Sequence, residues 1–225
     1  MIAALFDIEG TLYTNPMGRG FIRYASSNGR KLWAFAYFVS LMPMYYLSKL
    51  HITSKEILNR TAIARMPWLI RGYDLRQADA AFDWVANSYI LPSGQESVLK
   101  RWDHHRRLGH LLLIASGGLA PCVQRIGSHL NAAGTVGTEV VARNGRYLGR
   151  VGSPVVIGRE KAERTLQLVS QLAVRVDWPA SYAYADSIHD QPFLELVGHP
   201  VVVYPDKELD RIARERHWDV IGGGR

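Results

Sequence analysis

Residues 2–6, Ile-Ala-Ala-Leu-Phe, form a short apolar run with no polar break, ended by Asp7 and turned at Gly10. Such a run reads as a buried strand. A buried strand that stops on a carboxylate and breaks into a glycine turn suits an open α/β sheet, where ligands bind at the carboxyl ends of the strands. Taken alone, the same residues also fit a strand end carrying two solvated acids. The rest of the chain has to choose between these readings.

From residue 15 to residue 91 the apolar spacing changes from strand-like to helical. Phe21, Tyr24 and Ala25 make a small stripe. Thr53-Ser54-Lys55-Glu56 reads as a capping box opening a helix through Arg65, and residues 74–89 carry Ala78, Phe82, Val85 and Ala86 on one face. Pro67, Gly72 and Pro92-Ser93-Gly94 punctuate the stretch. Residues 32–47 have no charge, and Trp33, Tyr37, Tyr45 and Tyr46 lie near their ends. They are too short for a comfortable span, which needs about 20 apolar residues, and they contain Pro43. The expectation is a helix packed mainly within an all-helical insertion, with interfacial membrane contact as the alternative.

Strand-like runs then return. Residues 95–107 read as a helix with its positive charge toward the C-terminal end. Residues 111–115 form a second apolar strand that ends at Ser116-Gly117-Gly118, and a helix is expected from about residue 119 to residue 130. A hydroxyl and unhindered backbone N–H groups at a helix start would make a phosphate cradle. Asn144-Gly145 marks a hairpin. Lys161 opens a helix after Gly158, a third strand at residues 182–185 ends on Asp186 with Asp190 four residues on, and a fourth strand spans residues 201–203. A last helix is expected over residues 207–216, followed by a frayed tail at residues 222–225.

The chain of 225 residues, 48% hydrophobic and 21% charged, is of globular composition and long enough for one core domain plus a smaller one. Its net charge of +7 favours anionic partners without choosing among phosphorylated metabolites, nucleic acid and anionic membrane. Cys122 is the sole cysteine, which excludes an intrachain disulfide and fits a reducing compartment. Met1 leads directly into the first strand, so neither a removed signal peptide nor export from the cytoplasm is expected.

Polar groups therefore follow three strands: Asp7, Ser116, and Asp186 with Asp190, while Lys161 starts a helix between the second and third. These are the parts of phosphoryl transfer. A carboxylate can attack phosphorus, carboxylates hold a hard cation such as Mg²⁺, and a hydroxyl, backbone donors and a lysine neutralise phosphate oxygens. The bland alternatives are a helix cap for Ser116 and for Asp190, and a solvated first-turn lysine for Lys161. His104, His105 and His110 read as surface or strand-edge histidines.

The motifs Asp7-Ile8-Glu9-Gly10-Thr11, the run 111–118 ending Ser116-Gly117-Gly118, Gly158-Arg159-Glu160-Lys161 and Ala185-Asp186-Ser187-Ile188-His189-Asp190 occur in that order. In this the chain resembles the haloacid dehalogenase superfamily, in the phosphoserine phosphatase-like subfamily with a helical cap after the first motif. The resemblance implies a Rossmann-like α/β core at residues 1–14 and 92–225, a helical cap at residues 15–91, and Mg²⁺-dependent hydrolysis of a small phosphorylated metabolite through an aspartyl-phosphate. It assigns Asp7 as nucleophile and metal ligand, and Glu9 as general acid/base whose main-chain carbonyl also meets the metal. Ser116, Gly117, Lys161 and Thr11 become phosphate binders, and Asp186 and Asp190 complete the metal set. No nucleic-acid partner is implied.

Two departures carry expectations. Glu9 stands where the active pattern usually has Asp, so a displaced carboxyl should slow turnover, and Glu9→Asp should raise it. Tyr13, Thr14 and Asn15 occupy the neighbourhood where phosphoserine phosphatases carry a Glu for the substrate amine, so phosphoserine should be a poor substrate. A weakly active or silent relative that binds a phosphorylated ligand, and a peripheral membrane protein acting on a lipid phosphate, are the alternatives.

Overall fold

A computed structural model describes residues 1–223. The expected tail therefore lies in part, at residues 224–225, outside the described residues. The chain opens with strand β1 (Ala3–Phe6) and continues through helices α1 (Met17–Ser27), α2 (Lys31–Lys49), α3 (Lys55–Arg65) and α4 (Leu75–Asp83). A 3₁₀ turn at Met66–Ile70 precedes α4, and a wider π-helical segment, Trp84–Ile90, follows it. Next come α5 (Glu96–Arg107), β2 (Leu111–Leu119), α6 (Ala120–Leu130), β3 (Gly134–Thr138) and a hairpin of β4 (Val140–Arg143) and β5 (Arg146–Val151). The chain then runs through α7 (Arg159–Gln171), β6 (Tyr182–Ala185), the short α8 (Gln191–Leu194), β7 (His199–Val203), α9 (Lys207–Glu215) and β8 (Asp219–Ile221).

Six strands pair in parallel in the order β3-β2-β1-β6-β7-β8. β1 lies between β2 and β6, where the direction of strand addition reverses and a doubly wound sheet opens its ligand crevice. The unbroken apolar run of β1 follows from burial on both faces. Ala3 and Leu5 point into the core shared with Val202, Phe193 and Leu209; Ala4 and Phe6 point into the other, and all four are fully buried. That second core continues without interruption into Met17, Phe21, Tyr37, Met66 and Phe82 of the helical insertion, which thus covers one face of the sheet.

Several expectations need correction. β2 does not stop at Ala115 but runs through Ser116-Gly117-Gly118 to Leu119, with a register shift against β3 between Ala115 and Leu119. The glycines therefore form an irregular strand end, and the helix begins only at Ala120. Edge strands β3 and β8 are additional; Gly134, Gly137 and the short run at residues 219–221 give little strand signal. The cap of α3 is Ser54, whose hydroxyl accepts from the Ile57 N–H, rather than Thr53.

The largest correction concerns α2. Only Ala34 and Tyr37 of this helix are buried, while Leu32 is 82% exposed, Phe35 67% and Phe38 58%. The segment does not pack mainly within the helical layer. No helix among the described residues is long and apolar enough to cross a membrane.

Candidate active site

β1 delivers Asp7 to the crevice because its strand hydrogen bonding ends there: the Asp7 N–H donates to the Tyr184 carbonyl of β6 at 3.0 Å. The chain then turns at Gly10, with φ +84°, and a Cβ at this position would lie 2.1 Å from Asp186 Oδ2. Glycine is required twice over, for a backbone angle that L residues avoid and for the close approach of Asp186. Gln95, the first residue after the Pro92-Ser93-Gly94 break, donates its side-chain amide to the carbonyls of Gly10 and Thr11, each at 2.6 Å, and clamps the turn.

Lys161, from the first turn of α7, bridges two carboxylates: its Nζ lies 2.7 Å from Asp7 Oδ1 and 2.7 Å from Asp190 Oδ1. It is 3% exposed, so the solvated-lysine reading fails. Asp190 precedes α8 but its side chain makes no capping bond, so that alternative fails as well. One carboxylate oxygen from each of Asp7, Asp186 and Asp190 lies within 4.8 Å of the others. Ser116 is buried, its Oγ accepting from the Gly118 N–H at 3.1 Å within the irregular end of β2, not at a helix start. A cleft of about 380 Å³ is lined by Asp7, Glu9, Ser116, Gly117, Lys161, Asp186 and Asp190, with Tyr37, Asn59, Ile63 and Met66 on the helical side. Thr11 is not brought to this cleft: it is fully buried, and its hydroxyl finds no hydrogen-bond partner among the described residues.

The electrostatics follow from enclosure. Burial pushes the Asp7 carboxyl up to about 6, opposed by the Lys161 ammonium and assisted by Asp190. Burial, and then the Asp7 charge, push Glu9 up to about 7, while the Met17 amide at the start of α1 acts on it as a donor. Burial disfavours the Lys161 ammonium, but Asp190 and Asp7 outweigh it and hold the group above its ordinary range. Four carboxyl groups and one ammonium face the cleft. Such a surface repels a phosphate dianion until a cation joins it. The donor set, all hard carboxylate oxygens gathered within a few ångströms, fits Mg²⁺.

Two supports carried no sequence signal beyond their residue type. Thr138, at the end of β3, donates its hydroxyl to the Gly117 carbonyl at 2.8 Å and accepts from the Val156 N–H at 3.1 Å, tying the glycine strand end to the loop before α7. Asp206 caps α9 with Oδ1 and accepts from the Ile188 N–H with Oδ2 at 2.9 Å, steadying the loop that carries Asp186 and Asp190.

Of the three histidines, His105 is not at the surface. It is 2% exposed, with Nε2 2.8 Å from the Tyr184 hydroxyl and Nδ1 2.8 Å from His110 Nδ1. Burial, then the neighbouring His110, lower its pKa to about 4. It takes no part in the cleft.

Known proteins share this fold. The family model for haloacid dehalogenase-like hydrolases matches residues 4–195. The chain belongs to the haloacid dehalogenase-like hydrolases. Among curated relatives of this hydrolase, a Mycobacterium tuberculosis protein named phosphoserine phosphatase is 28% identical over 225 residues, covering 97% of this chain and 70% of that one. A probable phosphatase of the same organism is 30% identical over 156 residues, covering 68% of this chain and 53% of the relative. A Bordetella pertussis structure described as of unknown function superposes with a TM-score of 0.83 at 25% identity, covering 98% of this hydrolase and 97% of that chain. A phosphoserine phosphatase structure, described as a phospho-aspartyl intermediate analogue, shares the fold with a TM-score of 0.66 at 16% identity, covering 100% and 94%.

Proposed function

We propose that this hydrolase is a Mg²⁺-dependent phosphomonoesterase acting through a phosphorylated Asp7. The observation that carries the reading is the meeting of Asp7, Lys161, Asp186 and Asp190 at the ends of neighbouring strands β1 and β6. Asp7 attacks phosphorus, which bonds to its carboxylate oxygen as the ester oxygen departs. Glu9, near neutrality in its pKa, gives a proton to that oxygen and then takes one from the water that releases phosphate. Ser116, the Gly117 N–H and Lys161 hold the remaining phosphate oxygens. A divalent cation held by Asp7, Asp186, Asp190 and the Glu9 carbonyl supplies charge neutralisation when bound. Residues 15–91 act as a cap over the cleft.

The cap side of the cleft offers Pro16, Tyr37, Asn59, Ala62, Ile63 and Met66, none of them charged. Glu56 and Arg60 nearby are paired with each other at 3.0 Å. An ammonium or carboxylate on the leaving group finds no counter-charge there, which supports a phosphomonoester with an uncharged leaving group over phosphoserine, the substrate in the name of the 28%-identical relative. The test is hydrolysis of p-nitrophenyl phosphate with Mg²⁺, set beside phosphoserine. Asp7→Asn or excess EDTA should lower turnover by at least about a thousandfold, because nucleophile and metal act as a unit. Survival of activity in either case refutes the mechanism, and phosphoserine outpacing the aryl ester refutes the leaving-group assignment.

A further inference from the structure

We propose that the outer face of α2 is a docking surface for an anionic lipid bilayer. The inward residues of the helix, Ala34 and Tyr37, already satisfy its packing, and the Tyr37 hydroxyl donates to the Ala62 carbonyl at 3.1 Å. On the opposite side, Leu32, Phe35, Phe38, Val39, Tyr45 and Tyr46 are all exposed, at spacings of three, four and seven that place them in one stripe. No charged residue interrupts the stripe between Lys31 and Lys49. Contiguous apolar exposure of this kind marks an interaction site rather than an ordinary surface.

Charge selects the partner. From Gly10 to Lys55 the chain contains no Asp or Glu, while it carries Arg19, Arg23, Arg30, Lys31, Lys49 and Lys55. None of these six forms a salt bridge among the described residues. Lys31 and Lys49 bracket the stripe, and Lys49 lies over the Tyr45 ring, 5.7 Å from its centroid. An apolar helix face bordered by cations and ending in aromatic residues suits the boundary between acyl chains and anionic headgroups. A second copy of the chain is the poorer partner, since apposing two such faces brings cations together without a carboxylate to meet them. The helix lies on the surface without crossing, in keeping with its length and apolarity. Because α2 also contributes Tyr37 to the catalytic cleft, docking holds that cleft beside the bilayer.

Co-sedimentation of the whole chain with phosphatidylcholine vesicles, with and without phosphatidylglycerol, tests the proposal. Binding should be at least about tenfold stronger on the anionic vesicles and should weaken with salt. Phe35→Asp with Phe38→Asp should abolish it, and p-nitrophenyl phosphate hydrolysis, which these outward side chains do not serve, should be unchanged. Equal binding to both vesicles, no binding, or binding retained by the double variant overturns the proposal. So does self-association in sedimentation equilibrium that the double variant removes, which would make the face a contact between copies. Unchanged hydrolysis in the variant keeps a failure of docking distinct from a failure of the phosphatase reading.

Discussion

The cleft floor and helix α2 obey opposite rules, although one side chain of α2 reaches the cleft. On the floor, Asp7, Lys161 and Asp190 are each no more than 5% exposed, and the ammonium lies 2.7 Å from both carboxylates. On α2 the outward apolar side chains are exposed, and the neighbouring cations form no salt bridge among the described residues. Buried charge survives only where geometry compensates it, so the floor is fixed by three strands, a helix start and a glycine turn. Exposed apolar surface survives without such constraint, because nothing within the chain depends on it. Chemistry and address are thus carried by parts of the molecule that can be altered separately.

Variants should divide along that line. The largest effect is expected for Lys161→Met. It leaves Asp7 and Asp190 facing each other without the ammonium between them, at a cost of roughly 3–5 kcal/mol in stability. Turnover should fall by at least about a thousandfold. Vesicle binding by the folded fraction should persist; its parallel loss would break the separation of the two regions. Chemical denaturation and the aryl phosphate assay give the two readouts.

Glu9→Gln comes next, with turnover lowered about a hundredfold because the acid/base is removed. In the parent enzyme kcat should decline as pH rises through about 7, since the Glu9 proton needed by the leaving oxygen is then lost. The Gln variant should lose that limb. The sequence pointed to a gain for Glu9→Asp. The Met17 amide at the start of α1 changes the expectation, because it acts on the longer side chain and a carboxyl drawn back by one methylene gives it up. We expect kcat to fall, and a rise would show that reach to the leaving oxygen matters more than this anchor.

The smallest effect should leave turnover untouched. His105 is held neutral with its pKa near 4, below the unfolded value of 6.5. Between these values the unfolded chain binds the extra proton, so stability should be lost as pH falls from about 6.5 to 4, by on the order of 2 kcal/mol. Asp7 and Glu9, raised by burial, act in the opposite sense. Comparing unfolding midpoints of the parent and His105→Gln isolates the histidine; an identical pH dependence in both would remove it from the account.

The floor was legible in the sequence because each part is punctuated: an apolar run ends on Asp7, another runs into Ser116, a third ends on Asp186, and Gly158 precedes Lys161. The supports were not legible. Thr138, Gln95 and Asp206 act through hydrogen bonds across 18 to 85 residues of chain, and no local pattern predicts which Thr or Gln will make one. The continuation of β2 past Ser116 has no local sequence signal, because Gly-Gly ordinarily marks a turn, whereas here Gly118 has Met17 packed where a Cβ would stand. Residues 32–47 are ambiguous for a related reason: an uncharged apolar stretch looks like core, and composition does not tell a face that packs from one left open.

In the proposed mechanism Asp7 carries the phosphoryl group. Enzyme mixed with excess p-nitrophenyl phosphate and Mg²⁺, quenched in acid and treated with borohydride, reports it directly, because an acyl phosphate is reduced whereas a free carboxylate is not. Peptide mass spectrometry should find residue 7 converted to homoserine, only when substrate was present. Reduction at Asp186 or Asp190 instead, or at no residue while the enzyme turns over, would rule out Asp7 as the nucleophile.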